Sequence, residues 1–342
     1  MHQTLVSVII LSFNSQAHIG RAIASVRQQT YSNIEIVVVD NGSTDDTQQI
    51  VEAFGGIVWL SLPRSDMGMA RNHGVKHSRG EYLMFLDSDD FYLAHKLEMQ
   101  VEVMTVQPRL DVLFTTAYIY RTGKTELLGI KSYTRQRLSF TDFMSGYCYT
   151  LATICIRRSA WNSGLAFCEG ELGRCGEDWH FQLSLAHKGV AFDVLDVPAV
   201  VVEIREGSHT SWEIQPKMKA LALNTVEGIL KSGAGTRLNS AVAQKILDSY
   251  RFKLVVSLIL VDRTTEAVAT RRDIHSAVKS FVIGVLLAMA TVLPSTWVRR
   301  LLELGWIKRQ DNTFQWSRPT QHIGTQITAL INQPLHVDRA KT

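Results

Sequence analysis

The sequence predicts an α/β protein: a mostly parallel, Rossmann-like sheet with helices on both faces, followed by a helical C-terminal region. Three observations point there. Apolar runs of strand length alternate four times with segments of helical period before residue 107, polar and acidic residues gather directly after those runs, and the charge balance changes sign beyond Pro216. Four βα units in a row are the pattern of a parallel sheet.

The units follow in order. Leu5 to Leu11 leads to Ala17–Gln29, Ile34 to Val39 to Asp45–Phe54, Ile57 to Leu62 to Met69–His77, and Tyr82 to Leu86 to Leu93–Val106. In such sheets a ligand sits outside the carboxyl ends of the strands. The polar punctuation falls there: Ser12, Phe13 and Asn14 after the first run, Asp40-Asn41-Gly42-Ser43 after the second, Asp87-Ser88-Asp89-Asp90 after the fourth. One crevice can be lined by all three.

Three carboxylates at the end of the buried run Tyr82–Leu86 are costly unless a cation shares them. A hard divalent ion, Mn²⁺ or Mg²⁺, accepts one or two such groups. Helix capping explains one carboxylate, not three. In the second segment, Ser43 or Thr44 can cap the following helix while Asp45 and Asp46 suit its dipole. That leaves Asp40 to accept hydrogen bonds from a nucleobase or ribose.

Met1–Pro216 carries 18 Lys/Arg against 24 Asp/Glu, whereas Lys217–Arg309 carries 15 against 6. An acidic half suits metal and sugar chemistry; a basic half rich in apolar helices suits an anionic surface, and its long aliphatic stretches fit phospholipid rather than nucleic acid. Cys148, Cys155, Cys168 and Cys175 are spaced for neither a zinc knuckle nor a redox pair, so reduced thiols are expected. No basic flank or small-residue cleavage site frames Thr4–Phe13. The expectation is a cytoplasmic protein, peripheral on the inner face of the membrane if the basic region meets lipid.

Several segments together resemble the family 2 glycosyltransferases of GT-A fold, over residues 4–211: Val6-Ser7-Val8-Ile9-Ile10, Ser25–Tyr31, Val39–Asp45, Ala70-Arg71-Asn72, and Gly80-Glu81-Tyr82 running into Asp87-Ser88-Asp89-Asp90. The resemblance implies Asp40 on the base of a nucleotide, Asp87 with Ser88 on the ribose side, Asp89 on a metal bridging the diphosphate, and Arg71 near the nucleotide. It also implies a UDP-sugar donor, with GDP and dTDP open. Glu177-Asp178, at the start of a helical pattern reaching His187, looks like the family's catalytic pair, with Asp178 as base; on spacing alone the two acids read equally as dipole partners. An inverting single displacement follows, with Asp178 taking the acceptor proton.

The chain departs from the family pattern at Leu11, where proline is usual, at Gln16, at Asn41 and at Arg205, where a histidine is common. His209 nearby is the candidate to replace it as a metal ligand, although a loop histidine among Ser208, Thr210 and Ser211 also reads as a solvated side chain. No Gln-x-x-Arg-Trp segment is present, which favours one sugar per encounter, onto a saccharide or lipid-linked acceptor in surface polysaccharide synthesis.

Three regions are expected: 1–215 as the nucleotide-sugar domain, 216–310 as a helical, basic, membrane-associated region, and 311–342 as a tail without clear pattern. Leu238–Val261 has the spacing of a packed helix. Phe281–Leu293 is too short for a comfortable membrane span, and core helix and interfacial anchor both fit it. Two alternatives to the transferase remain: a non-catalytic sugar-nucleotide sensor or membrane scaffold, which would keep the fold but not the base, and a sugar nucleotidyltransferase, which would need a Gly-rich triphosphate loop that Leu11–Ser15 does not supply.

Overall fold

The computed structural model describes residues 4–121, 126–133, 138–174, 176–204, 214–232, 238–292 and 314–317. The chain divides into two compact units, one of Met1–Arg137, Cys148–Glu206 and Phe314–Thr342, the other of Leu138–Tyr147 and Gly207–Thr313.

In the first unit, β1 (Val6–Ser12), β2 (Ile34–Asp40), β3 (Val58–Ser61) and β4 (Tyr82–Asp87) are joined by α1 (Ile19–Arg27), α2 (Thr47–Phe54) and α3 (Met67–Lys76). β1 is central: Val6 lies opposite Ile34 of β2 and Tyr82 of β4, both parallel, and β3 continues outside β2. Strands covered on both faces need no polar alternation, which is why Val6 to Ile10 reads as one run; Val6, Val8, Ile9 and Ile10 are all buried. α3 lies close to this sheet because Gly74 has no side chain. A Cβ there would stand 2.5 Å from Ile9 Cγ2 and 2.9 Å from Val39 Cγ2.

β5 (Phe91–Tyr92) and α4 (Lys96–Val106) complete the repeating pattern. β6 (Val112–Arg121) and β7 (Glu126–Tyr133) follow, then α5 (Phe140–Met144), which belongs to the second unit. The chain returns to the first unit with β8 (Cys155–Arg157), α6 (Arg158–Asn162), α7 (Glu177–Lys188) and β9 (Phe192–Ile204). β6 pairs antiparallel with β7 and β8 and parallel with β9, while β9 also pairs antiparallel with β5. The four βα units therefore form a parallel half, and the strands after residue 110 add a mixed half.

The second unit stacks α8 (Gln215–Lys231), α9 (Ser240–Ile259), α10 (Thr264–Arg271) and α11 (Ala277–Val292). α9 carries the expected seam, with Ile246, Tyr250, Leu254 and Leu258 buried, and Asn239 caps it through the Val242 N–H at 2.8 Å. The α10–α11 connection is pinned to α9 by Asp248, whose carboxylate accepts from the N–H groups of His275 (3.2 Å) and Ser276 (2.8 Å). Among the described residues no helix is long and apolar enough to cross a membrane.

Within the expected tail, β10 (Phe314–Ser317) pairs antiparallel with β7, Phe314 opposite Tyr133. Four residues are too few for a periodicity to show, so sequence patterning passes over such an edge strand. Cys148, Cys155 and Cys168 are free thiols. Cys175, Arg205, His209 and the basic stretch from Trp297 to Arg309 lie outside the described residues.

Candidate active site

The carboxyl ends of β1, β2 and β4 are drawn together by their own backbone. Asn41 N–H donates to Ser12 C=O at 2.8 Å and Ser88 N–H to Leu11 C=O at 3.2 Å. The loop after β1 is fastened to the loop after β2: Asn14 N–H donates to Ser43 Oγ and Thr44 N–H to Asn14 Oδ1, both at 2.8 Å. This needs Asn14 at φ 45°, the left-handed region that asparagine tolerates better than most residues. Ser15 and Ser88 hydroxyls meet at 2.7 Å, and Ser12 Oγ is buried with no hydrogen-bond partner among the described residues.

The segment after β2 closes differently from the expected cap. Ser43 donates both its N–H (3.1 Å) and its hydroxyl to the buried Asp40 carboxylate, and Asp45 Oδ1 takes over the helix start by accepting the Thr47 N–H at 3.1 Å. Asn41, the departure from a second Asp, clamps the loop after β3: its Oδ1 accepts from the Ser65 N–H at 2.8 Å, and its Nδ2 donates to Ser65 C=O at 3.1 Å. An amide serves both directions, which a carboxylate cannot.

Arg71 is the centre of the electrostatics. Its buried guanidinium donates to Glu177 Oε1 at 2.5 Å and to Asp87 Oδ1 at 2.8 Å, joining the end of β4 to the first turn of α7. Burial works against the arginine charge, and Asp87 and Glu177 outweigh it, raising its pKa. For Glu177, burial outweighs the arginine and raises the carboxyl pKa, with neighbouring Asp178 adding to the rise. Of the expected catalytic pair, then, Glu177 is buried and bound to Arg71. Asp178 is partly exposed, and its Oδ1 accepts the Trp179 N–H at 2.6 Å.

The segment 87–90 divides in the same way. Asp90 is buried and accepts the Glu203 N–H at 3.0 Å; burial, with Asp89 and Asp87 nearby, pushes its carboxyl well above the usual range. Asp89 is partly exposed, and its backbone carbonyl accepts from Arg21 at 2.8 Å. Two acids remain near the crevice surface, Asp87 and Asp89, and Asp87 is shared with Arg71. Hard carboxylate oxygens of this kind fit Mg²⁺ or Mn²⁺ in partnership with substrate phosphates. Among the described residues no group of three His, Cys, Asp or Glu is arranged to hold a metal without such help.

Several participants escape sequence reasoning. Arg64 lies over the Phe13 ring, 3.4 Å from its centroid, and like-charged Arg174 faces it. Asn72 brackets the Phe167 peptide, its Oδ1 accepting the N–H at 2.9 Å and its Nδ2 donating to the C=O at 3.0 Å. Asp66 caps α3 through Met69 N–H (2.7 Å) and also accepts the Gly170 N–H (3.0 Å). These clamps hold the segment before α7 to α3. The quoted Ala70-Arg71-Asn72 run marked the place, but its long-range partners carry no local signal.

Residues 7–166 match the family model described as "Glycosyl transferase family 2". An uncharacterized glycosyltransferase of Rickettsia typhi is 36% identical over 118 residues, 34% of this chain and 37% of that protein. The UDP-Glc:alpha-D-GlcNAc-diphosphoundecaprenol beta-1,3-glucosyltransferase WfgD of Escherichia coli is 39% identical over 107 residues, 30% of this chain and 42% of WfgD. The chain thus matches well under half the length of these curated relatives. Among solved structures, S. aureus TarS 1–349 in complex with UDP-GlcNAc is 20% identical with a TM-score of 0.56, covering 92% of this chain and 97% of TarS 1–349. The mannosyltransferase PcManGT of Pyrobaculum calidifontis, in complex with GDP-Man and Mn2+, is 17% identical with a TM-score of 0.51, covering 90% and 87%. At these identities the likeness is one of fold.

Proposed function

We propose, from the match of residues 7–166 to the family 2 glycosyltransferase model, that this chain moves one sugar from a UDP-sugar to a hydroxyl of a saccharide or lipid-linked saccharide, with inversion, in making a surface polysaccharide. One observation carries the reading. Arg71 ties Asp87, at the strand end where a donor would lie, to Glu177, the first residue of α7 and the neighbour of Asp178. The family match stops short of α7, so this link is what connects the base to the matched region.

In this reading Ser12, Phe13, Asn14, Asp40, Arg71, Asp87 and Ser88 hold the nucleotide sugar. Asp178 accepts the proton of the acceptor hydroxyl as its oxygen bonds to the anomeric carbon, and the bond from that carbon to the diphosphate breaks. Glu177 acts through Arg71 as a positioning residue. Asp89, with diphosphate oxygens, would hold Mn²⁺ or Mg²⁺, which when bound supplies positive charge against the departing diphosphate. The WfgD name supports a lipid-linked acceptor and a UDP donor, and the TarS complex supports UDP.

The test is nucleotide release by purified protein across UDP-, GDP- and dTDP-sugars, with undecaprenyl-diphosphate-linked acceptors, with Mn²⁺ or Mg²⁺ and with chelator. Release of one nucleotide, dependent on acceptor and abolished by chelator, is the expected result. Binding without turnover on any donor and acceptor would replace the transferase with the sensor or scaffold reading.

A further inference from the structure

α11 presents an apolar face that stands exposed among the described residues of its unit. Val278 (73% exposed), Phe281 (72%), Val282 (39%) and Val285 (45%) follow the i, i+3, i+4, i+7 spacing of one helical stripe, while Ile283 and Leu286, off that stripe, are buried. Singly exposed valines are ordinary, but four large apolar residues in one stripe are not.

Cations lie on both sides of α11. Lys279 shares the inner side with Ile283 and Leu286, within electrostatic reach of Asp248 and Lys245 of α9, and Lys253 of α9 feels both Lys219 of α8 and Lys279. At the other side Arg271 reaches Gly284, where a Cβ would lie 3.3 Å from Nη2, and exposed Arg272 follows it. Of the acids nearby, Glu227 pairs with Arg251, Glu266 with Arg263, and Asp248 holds the N–H groups that begin α11, while Asp273 stands exposed next to Arg272. Burial first, and then Lys219 and Lys279, bring Lys253 down to about 8.

We infer that α11 seats the helical unit on an anionic phospholipid surface, with Val278, Phe281, Val282 and Val285 entering the acyl boundary while Arg271 and Arg272 meet the headgroups. Length decides the orientation. Sixteen residues make a helix of about 24 Å, short of the ~30 Å hydrocarbon core, so α11 lies in the interface plane. Charge decides the occupant. A second copy would bring an equally basic region against this one, whereas anionic lipid neutralises it. The inference locates the membrane contact that a lipid-linked acceptor would require, yet vesicle binding involves no sugar, so either reading can fail without the other.

The experiment is co-sedimentation of the full chain with vesicles of phosphatidylcholine alone or mixed with phosphatidylglycerol, at low and high salt. Binding is expected to the mixed vesicles, weakened by salt, and reduced at least tenfold by Phe281→Asp and by Val285→Asp separately, with circular dichroism confirming that each variant folds. Val106→Asp, on an exposed apolar position of the first unit, should bind like the unsubstituted protein. No binding to mixed vesicles, or binding indifferent to both α11 variants, would overturn the inference. So would a concentration-dependent dimer in sedimentation equilibrium that Phe281→Asp dissolves, since a second copy would then cover the stripe.

Discussion

The acidic segment at the end of β4 and the acidic pair at the start of α7 solve one problem in two places. Each sets a buried carboxylate beside a partly exposed one: Asp90 beside Asp89, Glu177 beside Asp178. The buried members are anchored, Asp90 by the Glu203 N–H and Glu177 by Arg71, whereas Asp89 and Asp178 are partly exposed. A run of acids is therefore not a set of equivalent ligands. The buried acid fixes the backbone so that its neighbour is held in place, and the two should respond differently to substitution.

The largest effect should come from the exposed members. Asp178→Asn removes the proposed proton acceptor and should lower kcat by roughly 10²–10⁴-fold with little change in thermal stability. Asp89→Ala should be comparably damaging to turnover, and added Mn²⁺ should no longer raise activity. Glu177→Gln, in contrast, should keep measurable turnover. If Glu177→Gln proves as inactive as Asp178→Asn while folding normally, the division between anchoring and reacting acids is wrong at α7.

Arg71→Met should come next and act on stability. It leaves Glu177 buried without its cation, a loss of about 3–5 kcal/mol for a broken buried pair. The penalty should shrink when Glu177→Gln is added, because the stranded charge is gone; denaturant unfolding of the two single variants and the double completes the cycle. Additive losses would mean that Arg71 serves Asp87 alone.

Much of this was legible in the sequence. The first four strands and their helices were readable because buried parallel strands are continuous apolar runs, and Asp40, Asp87 and Asp89 were readable as polar punctuation after them. The mixed half was not. β6, β8 and β9 are held by pairings that run from Val112 to Ile156 and to Phe192, and no local period encodes such partners. The pair Glu177-Asp178 was visible as a motif, but its division of labour depends on Arg71, 106 residues earlier. Likewise Ser43 as a cap was reasonable locally, and lost because α2 begins only at Thr47 and the Ser43 hydroxyl accepts instead from the Asn14 N–H, 29 residues earlier.

The smallest effect should come from Asp90→Asn, and it isolates the anchoring role. The asparagine carbonyl can still accept the Glu203 N–H, so the contact that orders the segment survives. What disappears is a carboxyl whose pKa burial raises well above its unfolded value. Such a group holds its proton in the folded chain at pH values where the unfolded chain has released it. Its contribution to stability is therefore full below the ordinary carboxylate range and falls as pH rises toward the raised folded value. Asp90→Asn should match the unsubstituted protein to within about 1 kcal/mol in mild acid and exceed it as the pH rises, flattening the stability profile. Denaturant midpoints across that range, read beside turnover, check both halves of the comparison. A variant that loses stability more steeply with rising pH would show that Asp90 is anchored as a carboxylate and belongs with Asp89 after all.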